Sequence, residues 1–206
     1  MNIKQPKFFQ ALHTYEYTSS ESLEYGIWEN EEFQEIKQKH LKINECHFKN
    51  TTFIDCDFER IDGMDIIFEN CDLSNLSFYE GSLIRVIFKN CRLTGCDFSS
   101  TRLQDIQFIN NSANYTNFSC ATIKNTCFSQ TNLSQSSFNE TTFKDVFFDE
   151  CNLASCEFLH THLKNIDVSS CNIEGIALTN DSLKGVIVSP MQAIDLSKIL
   201  GLKIKE

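Results

Sequence analysis

The sequence predicts an all-β fold, a right-handed quadrilateral parallel β-helix with a short C-terminal α-helix, and three observations predict it. A large apolar residue occupies every fifth position from Phe48 to Val188, and of these 29 positions only Gly63 and Ala113 lack a bulky side chain. The residue two positions earlier is small or β-branched and nearly always uncharged. Columns rich in Phe recur at a period of twenty, starting from Phe48 and Phe58. A period of five fits neither a helix nor a flat strand, so the chain must turn a corner every five residues.

The period of twenty gives the shape of the coil. Four five-residue sides per coil make a square solenoid whose coils stack about 4.8 Å apart. Residues spaced by two point to the same side of an extended chain, so both apolar positions face inward and the three polar positions face water. The span 43–188 then forms about seven coils, a rod roughly 34 Å long.

Residues 1–42 keep the repeat poorly and are predicted to form an N-terminal capping segment. Thr18 to Glu21 is a capping-box pattern, and it precedes an amphipathic stretch that runs through Trp28 to Ile36. A helix and strand-like segments both remain open for this stretch. In either case its role is a lid on the first coil.

Residues 189–206 are predicted to form a helix and a tail. Ser189 is placed to cap the helix, Pro190 lies in its first turn and Gly201 follows its end. So short a helix needs a surface to pack on. Two roles are open: a plug over the last coil, or a plug that also joins two rods. The apolar residues assigned to dimerisation are Met191, Ile194, Leu196, Ile199, Leu200 and Leu202.

Two repeat stretches and this tail carry a family resemblance. They read Cys91-Arg92-Leu93-Thr94-Gly95-Cys96-Asp97-Phe98, Thr131-Asn132-Leu133-Ser134-Gln135 and Leu183-Lys184-Gly185-Val186-Ile187-Val188-Ser189-Pro190-Met191-Gln192-Ala193. The chain resembles the pentapeptide-repeat proteins, and within them the loop-free Gram-positive type of the quinolone-resistance group. The resemblance implies a homodimer joined tail to tail and a partner that is DNA gyrase or topoisomerase IV.

Charge is where the outer faces differ. The net charge is −10, and residues 44–188 carry 19 acids against 10 bases. Folding the sequence at a period of twenty puts one set of acids on a single face, and these are the predicted partner-binding residues: Asp57, Glu59, Glu80, Asp97, Glu140 and Glu157. An adjacent face carries a lysine ladder of Lys124, Lys144, Lys164 and Lys184.

An acidic column of this kind can present negative charge along a rod as DNA presents its phosphates. This charge pattern, together with the partner and the protective role that the resemblance implies, leads us to expect a DNA mimic that binds a type II topoisomerase and protects it from quinolones or toxins. On the alternative interpretation the acids only keep the rod soluble, and the protein is a general interaction scaffold unrelated to topoisomerases.

Chemistry finds little support in the sequence. The five histidines are scattered and match no catalytic or metal signature. Eight of the ten cysteines occupy the small inward position, which predicts packing residues, while Cys120 and Cys127 lie outward and are the expected reactive thiols. We expect no enzyme activity, no metal, no cofactor and no direct contact with nucleic acid.

The chain is expected to lie in the cytoplasm. Its N-terminus has no apolar secretion segment, and no run of residues is long and apolar enough to span a membrane.

Asn111 breaks the inward pattern beside Ala113, so we expect an irregular wall over residues 110–115.

Overall fold

A computed structural model describes residues 3–14 and 22–205 as a parallel β-solenoid of about 8 turns followed by one helix. The elements are β1 (His13–Thr14), β2 (Ser22–Glu24), β3 (Gly26–Glu29), β4 (Glu32–Gln34), β5 (Lys42–Lys49), β6 (Thr52–Ile54), β7 (Asp62–Glu69), β8 (Ser82–Lys89), β9 (Arg102–Ile109), β10 (Thr122–Ser129), β11 (Thr142–Asp149), β12 (Glu157–Phe158), β13 (Ala177–Leu178) and α1 (Pro190–Ile199). The predicted fold class is confirmed.

Each coil has four sides of five residues. In the coil 61–80 we call 61–65 side 1, 66–70 side 2, 71–75 side 3 and 76–80 side 4, and the same names apply to equivalent residues of other coils. The long strands run along sides 1 and 2, and each pairs in parallel with the strand twenty residues later, as Phe68 does with Phe88. Sides 3 and 4 are joined mostly by isolated bridges such as Asp72↔Arg92 and Ser77↔Asp97.

The corners explain the period of five. Every fifth residue from Tyr25 to Gly185, apart from 170 and 180, has a positive φ, between 48° and 65° where it is not glycine. Asn and Asp tolerate this left-handed conformation better than other residues with a side chain, and they occupy many of the corners. At one corner the side-chain amides of Asn30, Asn50, Asn70, Asn90 and Asn110 form a hydrogen-bonded ladder with Nδ2 to Oδ1 distances of 2.8–3.2 Å. The ladder links five successive coils on the outside of the rod.

Two columns of phenylalanine fill the interior, as predicted. In one column Phe88 stacks on Phe108 with ring centroids 5.0 Å apart and planes 6° apart. In the other, Phe98 stacks on Phe118 at 5.1 Å and 4°. Rings of different columns meet edge to face, as Phe98 and Phe108 do at 86°. This alternation packs Phe88, Phe98 and Phe108 against neighbours in both of the favourable aromatic geometries.

The small inward residues also tie consecutive coils together. The thiol of Cys91 lies 3.4 Å from the carbonyl oxygen of Phe68, and the hydroxyl of Thr131 donates to the carbonyl oxygen of Phe108 at 3.3 Å. Each bond reaches back twenty-three residues, to the preceding coil. Cys, Thr and Ser suit this position because they are small and carry a donor.

Asn111 does the same work, and the predicted irregular wall is wrong. Its amide Nδ2 donates to the carbonyl oxygen of Phe88 at 2.9 Å, and its Oδ1 accepts from the N–H of Cys91 at 2.7 Å. The bridges from Arg92 to Ser112 and from Ser112 to Asn132 keep the register through this segment. A longer polar side chain is tolerated because both ends of its amide have backbone partners.

At the N-terminal end the structure has strands where the sequence left a helix open. β2 and β3 pair with β5, and β4 pairs with β6, all at the same spacing of twenty residues. Trp28 stacks on Phe48 at 5.0 Å and extends that column by one ring. The solenoid register therefore begins at Ser22, twenty-one residues before the predicted start at 43, whereas the Thr18 to Glu21 capping box lies outside the described residues.

Helix α1 closes the C-terminal end. Ser189 and Gln192 form a capping box, in which the Ser189 side chain accepts from the Gln192 N–H and the Gln192 Oε1 accepts from the Ser189 N–H. Gln192 also donates through Nε2 to the carbonyl oxygens of Val168 and Cys171, at 2.9 and 2.8 Å. One glutamine thus starts the helix and satisfies the open carbonyls of the last coils.

Candidate protein-interaction surface

Side 4 concentrates the negative charge of the rod. In the six coils from 41 to 160 it carries six acids and one base, while the other three sides together carry ten acids and eight bases. The fold therefore segregates charge, because residues twenty apart are stacked on one side. The six acids of side 4 are the six predicted partner-binding residues.

Five of the six acids lie in two columns of side 4, and Glu59 lies between these columns. Asp57, Asp97 and Glu157 occupy one column, connected through a run of bridges that passes Ser77, Asn117 and Ser137. Glu80 and Glu140 occupy the corner column with φ of 54° and 57°. Five coils separate the first and last acids, which is about 24 Å along the axis.

At the N-terminal end of side 4 the acids are partly neutralised. Glu59 pairs with Lys39 at 2.9 Å, and the Arg60 Nε donates to the Glu80 carboxylate at 2.7 Å. The hydrogen bond from Arg60 also lowers the pKa of Glu80, with Tyr79 as the next contributor. This end of the surface is a mixed ion-pair network.

The C-terminal half of side 4 is different. Within the described residues, Asp97, Glu140 and Glu157 have no salt bridge, although Asp97 accepts the N–H of Ser99 at 2.9 Å and Glu157 accepts from the Asn139 amide at 2.8 Å. Glu140 and Glu157 are exposed and Asp97 is half-buried. Unpaired carboxylates therefore dominate the stretch from Asp97 to Glu157.

The lysine ladder lies on side 1, next to side 4. Lys124 pairs in register with Lys144, so their side chains leave the sheet on neighbouring strands. Lys184 forms a salt bridge with Asp181 at 2.7 Å, on its own turn of chain. Because a basic ladder borders the acidic side, any partner of side 4 must approach it away from side 1.

The outer side of α1 is a second candidate surface. Met191, Leu200 and Leu202 are 70%, 55% and 59% exposed, and Ile194 and Ile199 are also exposed. Leu196 differs from its predicted role, because it is buried in the core of its own rod. Leu196 anchors the plug, and the other five predicted dimerisation residues form an open apolar patch, hereafter the tail patch.

The cysteines behave mostly as packing residues. Burial raises the pKa of the thiols of Cys46 and Cys156 to about 12. Cys120 is exposed, whereas Cys127 is half-buried and burial raises its pKa, which disfavours the reactive thiolate expected there. Among the described residues no three His, Cys, Asp or Glu side chains are grouped closely enough to hold a metal ion.

Two features escaped the sequence analysis. The first is Gln192, whose polar side chain inside a short helix gave no hint of its buried contacts. The second is a set of buried carboxylates, Glu45, Asp65 and Asp105, at the corner between sides 1 and 2. Their spacing of twenty or forty residues was a readable signal, but nothing in the sequence showed what covers them.

Family models match the repeat directly. The model described as pentapeptide repeat region matches residues 61–137, and pentapeptide repeats (8 copies) matches 131–169. This chain is a pentapeptide-repeat protein. A further model, the SV2A/B/C luminal domain, matches residues 7–98. No curated protein sequence matches this pentapeptide-repeat protein.

Solved structures share the fold at low sequence identity. HetL of Nostoc sp. strain PCC 7120, a pentapeptide repeat protein involved in heterocyst differentiation regulation, is 12% identical, with 89% of this chain and 92% of that chain covered and a TM-score of 0.45. QnrB1, a plasmid-mediated fluoroquinolone resistance protein, is 20% identical, with 86% and 100% covered and a TM-score of 0.47. A pentapeptide repeat protein of the Arabidopsis thaliana thylakoid lumen is 20% identical, with 64% and 70% covered and a TM-score of 0.31. These likenesses concern the fold alone.

The described part of the chain has no helix of the length and apolarity that crossing a bilayer requires.

Proposed function

We propose that this pentapeptide-repeat protein is a binding protein that mimics DNA, contacts DNA gyrase or topoisomerase IV through side 4, and protects the enzyme from quinolones or toxins. The observation that carries the proposal is the segregation of charge, six acids against one base on side 4 of the six coils from 41 to 160. The sequence resemblance to the quinolone-resistance group gives the choice of partner. The protein acts by binding rather than by chemistry, and we place it in the cytoplasm with its target.

The physical basis is charge complementarity with a DNA-binding protein. An enzyme that grips duplex DNA presents a basic surface, and a column of fixed carboxylates approaches that surface as phosphates do. The carboxylates of Asp97, Glu140 and Glu157, which have no ion pair within the described residues, lie on three of the four coils from 81 to 160. Because a stiff rod needs no ordering on binding, little entropy is lost.

The tail patch supports a homodimer as part of the same proposal. Large apolar side chains that stay 39–70% exposed at one end of a soluble rod mark a surface that another protein covers. A second copy of this chain presents the same patch, and self-complementary contact of two such patches forms a closed dimer. Two rods joined at α1 would present two acidic sides to one two-fold symmetric enzyme.

A general scaffold unrelated to topoisomerases is the second candidate. One observation favours it: Glu59 and Glu80 are already paired with Lys39 and Arg60, and uncharged residues interrupt the acidic column at Ser77, Asn117 and Ser137. On that interpretation side 4 keeps the rod soluble.

The two candidates separate in a supercoiling assay. Purified protein is titrated into DNA gyrase, with and without a fluoroquinolone, at low and high salt. We expect recovery of supercoiling in the presence of the drug, with an effect that weakens as salt screens the acidic side. Inhibition of supercoiling without recovery in the presence of the drug would support mimicry and contradict a protective role. No effect on gyrase or topoisomerase IV would favour the general scaffold.

A further inference from the structure

Residues 3–14, hereafter the strap, lie along the outside of the rod at the corner between sides 1 and 2. Three backbone N–H groups hold the strap there: Lys4 donates to Asp105 Oδ1 at 3.3 Å, Lys7 to Asp65 Oδ1 at 2.8 Å, and Phe9 to Glu45 Oε2 at 2.6 Å. The strap ends in β1, which pairs with β3. It therefore runs against the direction in which the coils advance.

The spacing of the strap matches the spacing of the coils. Asp65 and Asp105 are two coils apart, about 9.6 Å, and the three residues from Lys4 to Lys7 span about 10 Å when extended. Asp65 and Glu45 are one coil apart, and two strap residues cover that step. An extended chain thus meets a carboxylate wherever the corner presents one.

The carboxylates are arranged to receive such a chain. Glu45, Asp65 and Asp105 are only 5%, 2% and 3% exposed. Arg85, on the intervening coil, donates from Nε and NH2 to both oxygens of Asp65 at 2.6 Å, and this ion pair fixes that carboxylate. From 45 to 105 the corner carries three acids and one Arg, a net charge of −2, and the strap brings Lys4 and Lys7, so the two charges balance.

The strap contributes almost nothing to the core. No residue of 3–14 belongs to the buried apolar cluster of the rod, which begins at Leu23. Phe9 is 77% exposed, and Ile3, Pro6 and Leu12 are only half-buried. The strap is bound mainly through its backbone, as a peptide ligand is bound, and its removal leaves the interior of the rod intact.

We propose that this corner is a peptide-binding groove, that the strap occupies it in cis as a displaceable ligand, and that the groove accepts in trans an extended basic peptide segment of another protein. Backbone N–H groups supply most of the contact, so the partner is defined by an extended conformation, a positive charge to match the acids, and a proline-compatible backbone like that around Pro6. The groove is separate from side 4, so this inference does not depend on topoisomerase binding.

Hydrogen exchange on the unmodified full-length chain gives the first test. We expect the amides of Lys4, Lys7 and Phe9 to exchange by local opening, much faster than amides of β7–β9. An excess of a synthetic peptide of residues 3–14 should make their exchange faster still, because the peptide competes with the strap for the groove. Exchange of the strap only together with the strands would show that it is a fixed part of the rod, and would overturn the proposal.

A binding measurement gives the second test. Full-length Lys4→Pro/Lys7→Pro/Phe9→Pro loses the three donors and leaves the groove open, and its far-ultraviolet circular dichroism should match that of the unmodified chain. A fluorescent peptide of residues 3–14 should bind this variant about tenfold more tightly than the unmodified chain, where the strap competes. Equal affinity, or binding to neither protein, would contradict a displaceable strap.

Synthetic N-methylation isolates the backbone contact. N-methylation of Lys7 in the peptide removes one N–H and keeps the side chain and its charge, and we expect about tenfold weaker binding because a charge-assisted hydrogen bond is lost. The matched control is N-methylation of Gln10, whose N–H makes no hydrogen bond with the described residues. Equal losses of peptide affinity from the two modifications would show that the carboxylates do not bind the backbone N–H groups of the peptide, and would contradict the peptide-binding groove.

Discussion

A column of carboxylates at one corner of this rod and the set of carboxylates on side 4 differ in what covers them. Glu45, Asp65 and Asp105 are buried at the corner between sides 1 and 2, where the strap and Arg85 use their charge. Glu140 and Glu157 on side 4 are exposed and have no ion pair within the described residues. Carboxylates thus stabilise the protein at the covered corner and remain available to a partner on side 4.

The ends of the helix repeat this contrast with apolar residues. Leu196 is 8% exposed against the last coils, whereas Leu200, one turn later, is 55% exposed. An apolar side chain that is buried inside the protein adds the free energy of its transfer from water to the stability of the fold. An apolar side chain that stays exposed can contribute the same free energy to an interface. Mutation of a covered residue should therefore change the free energy of unfolding, and mutation of an exposed residue should change binding or association.

The largest difference is expected between Asp65→Ala and Asp97→Ala. The first change leaves the guanidinium of Arg85, 19% exposed, without the partner that holds it at 2.6 Å. Removing one member of a buried ion pair costs about 3–5 kcal/mol of the free energy of unfolding. Asp97→Ala removes a half-buried carboxylate and should cost at most about 1 kcal/mol.

Urea unfolding followed by circular dichroism measures both values. Asp65→Asn serves as a control, since it keeps an oxygen for the Lys7 N–H and removes the charge. Equal losses of the free energy of unfolding at positions 65 and 97 would remove the distinction between the covered corner and the open side 4.

A smaller difference is expected between Leu196→Ala and Leu200→Ala. Leu196 packs within the core cluster, so its truncation should cost about 2–3 kcal/mol, near the lower end of the range for buried leucines. Leu200→Ala should change stability by less than about 0.5 kcal/mol. Thermal melts of the two variants over a range of protein concentrations provide the comparison, and a loss of stability in Leu200→Ala that is independent of concentration would show that this side chain is covered within its own chain.

The tail patch should control association and not folding. We expect the unmodified chain of 23.7 kDa to have twice that mass in solution by light scattering, and Met191→Asp/Leu200→Asp to have the monomer mass with an unchanged circular dichroism spectrum. Two aspartates placed in an apolar interface oppose its burial because each charge loses its water. A dimer that survives these changes would locate the interface elsewhere.

The smallest effect concerns His47, a half-buried side chain on side 2. Burial lowers the pKa of His47 from 6.5, and the nearby charge of Lys49 lowers it further. The carboxylate of Glu69, at 3.4 Å, acts in the other direction. Because the folded pKa is the lower one, the unfolded chain binds more protons as the pH falls through 6.5, and stability should decrease there. His47→Gln should remove that part of the slope in urea unfolding between pH 7 and pH 5, and an unchanged slope would show that His47 does not cause it.

The repeat made most of the fold predictable from sequence. Phe88 and Phe108 stack because each fifth residue must face inward, and that constraint is local and recurs in every coil. Asn111 was misread, since an inward amide is costly only when it lacks partners, and its partners Phe88 and Cys91 come from the preceding coil. The first coil was missed because Gln38 interrupts the five-residue frame between its apolar residues, Leu23, Trp28 and Phe33, and the continuous run that starts at Phe48.

The site was predictable in part, for a similar reason. Residues twenty apart had to share a side, so the acids of side 4 were identified together. The ion pair of Glu80 with Arg60 and the burial of Leu196 depend on contacts between side chains that the period does not determine. The strap lies outside the repeat altogether, so no periodic argument reaches its contacts with Asp65 and Asp105.

The most direct test of the account is equilibrium binding of two charge-reversed variants to DNA gyrase. Asp97→Lys/Glu140→Lys changes side 4, and Glu29→Lys/Glu174→Lys makes the same change in net charge on sides 2 and 3. Glu80 is left unchanged because Arg60 already pairs with it. We predict that the unmodified protein and the control bind alike and that the side 4 variant binds at least about tenfold more weakly. Equal weakening of both variants, or no binding by the unmodified protein, would contradict recognition through the acidic side.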